Sequence, residues 1–101
     1  MKMMMITAVK AFEDNIKLFL KEAEIHSYTY QEVNGFKDCS GLSVKDNWFA
    51  NDKSECESVL FHVFTEESKV EGFLQHAGSF NEEQPTKNAI HAVVVNLDKI
   101  I

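Results

Sequence analysis

The chain has 101 residues, 45% of them hydrophobic and 26% charged, which is typical of one globular domain and excludes a wholly disordered protein. Its basic residues are all lysines, and its net charge of -6 argues against binding to nucleic acid or to an anionic lipid surface. The apolar runs are too short for a membrane span or for the apolar core of a secretory signal. We therefore expect a cytoplasmic protein without direct membrane insertion.

The first third of the chain predicts a strand, a helix and a second strand. Residues Met3–Val9 are apolar with almost no alternation, as expected of a strand covered on both faces. The next apolar residues recur at helical spacing, and this helix is expected to end near Glu24. Tyr28 and Tyr30 then alternate with polar residues, which predicts a strand over residues 27–35. The apolar face of the helix consists of Phe12, Ile16, Phe19, Leu20 and Ala23.

A long polar stretch, residues 37–55, separates this half from the second half. A loop of that length in so small a domain is usually functional or disordered. Beyond it, Val59–Phe64 predicts an internal strand, because the run is apolar on both faces. Thr65 is a candidate N-cap for a second helix, and Gly78 is placed to end that helix. The remaining predictions are a turn over residues 84–88 and a fourth strand over residues 89–97.

The order β-α-β-β-α-β predicts a single domain over residues 1–101 with an α+β, ferredoxin-like fold. In that fold an antiparallel four-stranded sheet carries two helices on one face and leaves the other face bare. Here the bare face would still be apolar, because strands one, three and four have no polar alternate set. We therefore expect this face to be buried in an oligomer.

The segment Glu22–Phe36, E-A-E-I-H-S-Y-T-Y-Q-E-V-N-G-F, resembles PII signalling proteins, the nitrogen regulatory protein P-II superfamily. In those proteins G-I-x-G-M-T-V-x-E-V-x-G-F-G leads into the long T-loop. The likeness extends over the whole chain and includes a T-loop-like segment of about 37–55 and the final L-D-K-I-I. The matching positions in the segment are Thr29, Glu32, Val33, Gly35 and Phe36.

This resemblance implies a ferredoxin-like homotrimer whose sheets face inward. Small effectors, commonly adenine nucleotides, would bind in clefts between subunits. The T-loop would change shape to engage or release a regulated partner, such as a transporter or an enzyme. The expected function is therefore that of a PII-like signalling protein.

The phosphate-binding part of the PII pattern is missing. PII proteins follow the second helix with T-G-x-I-G-D-G-K-I, whose backbone amides hold phosphates. The corresponding run here, residues 80–90, reads F-N-E-E-Q-P-T-K-N-A-I, with no glycine, two acidic residues and one lysine. We therefore expect no triphosphate binding in the usual manner. The T-loop also begins with Lys37, Asp38 and Cys39 in place of Gly-Arg-Gln and contains no tyrosine for nucleotidylation.

On this resemblance the ligand-binding residues would be Thr29, Gly35, Phe36, Lys37 and Lys87. Thr29 and Gly35 would line an intersubunit cleft, and Lys87 would replace the lost phosphate contacts. The alternatives are a strand threonine, a turn glycine and a solvated loop lysine. No obligatory cofactor is expected, and the effector would be an adenine nucleotide or a metal ion.

Two aromatic residues in the long loop, Trp48 and Phe49, are candidate anchors for the regulated partner. A few exposed aromatic side chains often dominate the energy of a protein interface. The alternative is that both fold back onto the domain.

A metal-binding or heavy-metal-tolerance protein of the same fold is the alternative function. Cys39 and Cys56 are the candidate ligands, and soft thiolates would favour copper or zinc. However, no C-x-x-C or H-x-x-x-H spacing occurs, and Cys56 lies too far from His62 along a strand for joint chelation. His62 fits better as a core or trimer-axis residue, and the same applies to His91.

Two further interpretations concern function in general. A purely structural oligomerisation module would need neither ligand nor partner. An enzyme is not expected, because the chain has no nucleophile motif and no arginine for the phosphate cradle that acylphosphatases of this topology use.

Overall fold

In the described residues, four strands and two α-helices follow one another in the order that the sequence predicts, and a short 3-10 helix that was not predicted precedes the first α-helix. The structure is a computed structural model and describes residues 1–36 and 55–101, without the side chains of residues 55 and 56. The fold is α+β and ferredoxin-like, as predicted. No helix in the described ranges is long and apolar enough to cross a membrane. The elements are β1 (Lys2–Val9), a short 3-10 helix (Lys10–Phe12), α1 (Glu13–Glu22), β2 (Thr29–Phe36), β3 (Glu55–Thr65), α2 (Glu67–Glu83) and β4 (His91–Asn96).

The four strands form one antiparallel sheet in the order β2-β3-β1-β4. β1 and β3 are the central strands, and their sequences are apolar on both faces, as is the sequence of the edge strand β4. In register, Ile6 lies opposite Phe61 and Ala92, whereas Met5 lies opposite His62 and Val93. Successive residues of each strand therefore lie on opposite faces of the sheet.

One face of the sheet packs against the helices and forms the core. Ile6 and Phe61 are fully buried there, together with Ile16 of α1 and Phe73 of α2. Tyr30 of β2 stacks on Phe61, with the ring centroids 5.1 Å apart. Among the residues that the structure describes, the buried apolar set is Met4, Ile6, Ala8, Ile16, Leu20, Ile25, Val59, Phe61, Val63, Val70, Phe73, Ala77 and Ile90.

The opposite face of the sheet, called the bare face below, is apolar as predicted. Phe64 is 52% exposed and Val93 is 58% exposed in the single chain, and Met5 and Val95 are exposed beside them. These residues share one face because β1 pairs with both β3 and β4 in matching register. A soluble monomer rarely presents so much contiguous apolar surface.

The end of α1 returns the chain to the core. The amides of Glu24 and Ile25 donate to the carbonyls of Lys21 and Leu20 at 3.0 and 2.9 Å, which is the Schellman pattern of a helix C-terminus. Glu24 occupies the left-handed position with φ of 62°. Ile25 is buried as a result, and β2 begins at Thr29, two residues later than residue 27, where the sequence predicted it.

Both predicted ends of the second helix were wrong. Thr65 is buried and pairs with Lys2 as the last residue of β3, and Glu66 is the N-cap without a side-chain hydrogen bond. At the other end the helix runs past Gly78 to Glu83. The continuation is stabilised by Phe80, whose ring contacts Phe12 and Phe19 at centroid distances of 4.9 and 5.7 Å. Tertiary packing of this kind outweighs the low helix propensity of one glycine.

Replacing Gly78 with alanine should therefore stabilise the protein by about 0.5–1 kcal/mol. Gly78 is helical without a positive φ, and a Cβ atom there would meet nothing within 4 Å apart from its chain neighbours and the backbone of its own helix. Urea denaturation of the two proteins at equal concentration measures the difference. A loss of stability would instead indicate that the helix ends at this glycine in a left-handed conformation.

Candidate functional site

A cleft of about 360 Å³ opens where β1 and β2 end and β4 begins. We call it the Lys87 cleft. Because the strands are antiparallel, these strand ends lie at the same end of the sheet, beside the loop that follows α2. The described residues that line it are Thr7, Ala8, Val9, Gly35, Phe36, Ser58, Lys87, Asn88, Ala89 and His91.

Three of the ligand-binding residues predicted from the sequence come together in this cleft. Gly35 and Phe36 reach it at the end of β2, and Lys87 reaches it from the loop after α2. Thr29 does not, because it lies at the other end of β2, about 20 Å away at the usual rise of a strand. It borders a separate, smaller opening of about 180 Å³ beside His62.

Several polar residues of the cleft were not predicted from the sequence. Thr7 and His91 lie directly opposite each other in the pairing of β1 with β4. Thr7 interrupts the apolar sequence of β1, and His91 is the polar first residue of the apolar β4. A polar residue at such a position is the sequence signal from which both could have been predicted. Asn88 and the buried Ser58 complete the polar lining.

Lys87 supplies the positive charge of the cleft. In the part of the chain that the structure describes, its side chain forms no hydrogen bond or ion pair. The neighbouring Lys10, by contrast, is held by Glu32. Ala8, Val9 and Phe36 provide apolar walls around the lysine. The cleft thus combines one unpaired cation with an apolar lining, a combination common in small-molecule sites.

Side-chain hydrogen bonds close the loop on which Lys87 stands. The Gln84 side-chain oxygen accepts the Thr86 amide at 2.9 Å, and the Gln84 side-chain nitrogen donates to the Thr86 carbonyl at 3.0 Å and to the Asn88 carbonyl. The Thr86 hydroxyl accepts the Asn88 amide at 3.2 Å. Asn81 of α2 holds the end of the loop through both the amide and the carbonyl of Ile90, at 2.8 and 2.9 Å. Hydrogen bonds within the loop and to Asn81 of α2 therefore fix its conformation.

A second opening, of about 390 Å³, lies beside α1 and contains none of the predicted ligand-binding residues. Two lysines line it, and one of them, Lys17, is already engaged. Lys17 donates to the Tyr30 hydroxyl and to the Glu13 carboxylate, each at 3.0 Å. These two hydrogen bonds raise the pKa of Lys17 above its ordinary value. The side chain of Lys21 forms no hydrogen bond or ion pair with the described residues, so charge alone does not separate the two openings. The Lys87 cleft is the stronger candidate because it brings three of the predicted ligand-binding residues together.

No protein-family profile and no curated protein sequence matches the chain. Solved structures do match it. One is CPII from Thiomonas intermedia, a nitrogen regulatory PII-like protein bound to ADP, AMP and bicarbonate. The TM-score is 0.63 at 14% identity, and the match covers 99% of this chain and 94% of CPII. The chain has the PII-like fold.

A second similar structure is a DUF3240 family protein from Shewanella baltica. Its TM-score is 0.66 at 12% identity, and the match covers 98% of this chain and 91% of that one. The resemblance that the sequence suggested is therefore confirmed at the level of the fold. Gly35 and Phe36, the last two residues of β2, line the Lys87 cleft.

The other predicted site residues lie outside the described side chains. These are Lys37, Cys39, Trp48, Phe49 and Cys56. Residues 1–36 and 57–101 contain no group of three acidic, histidine or cysteine side chains that would hold a metal ion.

His62 lies on the bare face and is not part of the fully buried core. It is partly buried opposite Thr29 and Met5.

Proposed function

We propose that the protein is a PII-like regulatory protein that binds a small effector in the Lys87 cleft. Through the segment of about 37–55 it would control a partner, such as a transporter or an enzyme. The observation that carries this proposal is the meeting of Gly35, Phe36 and Lys87 in one cleft. Phe36 directly precedes that segment in the sequence, so an effector in the cleft would contact the residue from which the segment begins.

We further propose that the functional unit is a homotrimer with its bare faces turned inward. Burial of Phe64 and Val93 would remove their apolar surface from water, which is the main driving force of association. Thr29 and Gly35 lie at opposite ends of β2, so they would meet in one site only if they came from different chains. An effector cleft between subunits would satisfy this condition.

The proposed protein acts as a switch and not as an enzyme. Its effector would bind one arrangement of residues 37–55 more tightly than the other and would shift the population accordingly. Trp48 and Phe49 would then meet the partner surface in only one of the two arrangements.

Hydrogen exchange measured with and without effector tests the sensing mechanism. The trimer, verified by light scattering, is incubated with ADP, AMP, cyclic AMP, bicarbonate, benzoate, copper or zinc. At least one of these is expected to change the exchange of peptides from residues 37–55. Peptides around the buried Phe73 of α2 are the internal control and should remain unchanged. If no compound alters the 37–55 peptides, the sensing proposal is wrong.

A further inference from the structure

We propose that the Lys87 cleft takes a compact monocarboxylate with an apolar body and rejects nucleotide polyphosphates. This inference rests on the proposed function, in which the cleft is the effector site. Three features of the described residues carry it: the backbone of the loop, the charge around it and the lining of the cleft.

The backbone of the loop has no phosphate cradle. A protein loop that binds polyphosphate offers several successive N–H groups to the anion. Here the amides of Thr86, Asn88 and Ile90 donate instead to side chains of the protein, at 2.9, 3.2 and 2.8 Å. Pro85 has no N–H group. Every second amide is therefore engaged, and no two successive N–H groups are available to a phosphate.

The charge around the loop also disfavours a polyanion. The loop follows the C-terminal end of α2, where the helix dipole is negative. Glu82 and Glu83 lie in the last turn of that helix, which contains no basic residue. Lys87 is the one cation among the described residues that line the cleft. Among the described residues the cleft therefore offers one positive charge from lysine, whereas a nucleoside triphosphate would bring several negative charges.

The lining of the cleft fits a ligand that is mostly apolar. Val9, Phe36 and Ala89 form its walls, and the Thr7 hydroxyl and the Asn88 amide are polar groups near the lysine. The volume of about 360 Å³ is near the lower end of the range of small-molecule sites, about 300–1,000 Å³. A carboxylate would pair with the Lys87 ammonium while its apolar body packs against Phe36.

Calorimetric titration at constant ionic strength tests this assignment with benzoate, acetate, phosphate, ADP and ATP as probes. Benzoate is expected to bind at least tenfold more tightly than acetate, phosphate or either nucleotide. Lys87→Met should weaken benzoate binding at least tenfold, because the carboxylate loses its cation. The matched control is Lys99→Met, which removes an exposed lysine outside the cleft and should leave the affinity unchanged.

Each alternative result separates this inference from the proposed function. If ADP or ATP binds more tightly than benzoate and changes hydrogen exchange of residues 37–55, the regulatory proposal stands and the monocarboxylate assignment is wrong. If acetate binds as tightly as benzoate, the role of the apolar walls is refuted. If no probe binds and residues 37–55 never respond, both proposals fail.

The hydrogen bonding of the loop amides can be tested separately. Amide exchange measured by NMR should be slow for Thr86, Asn88 and Ile90, because their N–H groups are hydrogen-bonded. Fast exchange at all three would show that the loop is open to an anion and would overturn the exclusion of polyphosphate.

Discussion

Replacing Phe73 with alanine should lower the free energy of unfolding by about 3–5 kcal/mol. Phe73 is fully buried between α2 and the sheet, so its loss removes apolar burial and leaves a cavity in the core. A domain of this size is stable by only about 5–15 kcal/mol, and the variant would therefore be close to unfolding. Urea denaturation followed by circular dichroism measures the change. All samples need the same chain concentration, since association would add to the apparent stability.

Two variants make the core result interpretable. Phe73→Leu keeps most of the side-chain volume and should lose less stability than Phe73→Ala. Leu18→Ala truncates an apolar side chain that is 49% exposed on α1 and should cost much less. Equal losses for Phe73→Ala and Leu18→Ala would contradict the packing described here.

The architecture could be predicted from the sequence because hydrophobic patterning differs between strands and helices. β2 carries Thr29, Gln31 and Glu32, as an edge strand does, whereas the other edge strand, β4, is as apolar as the central strands β1 and β3. The apolar bare face followed from the same pattern. These features depend on local periodicity, which is present in a single sequence.

The ends of α2 could not be predicted because they depend on residues distant in sequence. Thr65 has the chemistry of an N-cap, but its pairing with Lys2 keeps it in β3. Gly78 has the chemistry of a helix end, but the contacts of Phe80 with Phe12 and Phe19 continue the helix. In both cases tertiary contacts outweighed a local preference.

The candidate site could be predicted only in part, and mainly through resemblance. Gly35 and Phe36 came from the likeness of β2 to the PII pattern, whereas Thr7 and His91 required the register of β1 with β4. The closed loop after α2 left a weak local signal. Gln84, Thr86 and Asn88 alternate there, and side chains of these polar types often bond nearby backbone groups. The sequence shows that this loop contains no glycine, but it does not show that the backbone amides of Thr86, Asn88 and Ile90 donate hydrogen bonds to side chains.

Replacing Val93 with glutamate should convert the proposed trimer into monomers. Val93 is 58% exposed at the middle of β4 on the bare face, opposite Met5, so the single chain should fold with the substitution. In an assembly with bare faces inward, each chain would bury one carboxylate next to its copies. Burying an uncompensated charge costs several kcal/mol, which corresponds to more than about a hundredfold weaker association. Light scattering over a range of chain concentrations measures the shift from three chain masses to one.

The matched control is Leu18→Glu, because it introduces the same charge at an apolar residue of similar exposure. Leu18 lies on α1, on the helix side of the sheet, where the proposed trimer has no interface. This variant should therefore remain a trimer, and both variants should retain the circular dichroism spectrum of the parent. A trimeric Val93→Glu protein would mean that the bare face is not the interface. The exposed apolar surface of Phe64, Val93 and Val95 would then require a different partner.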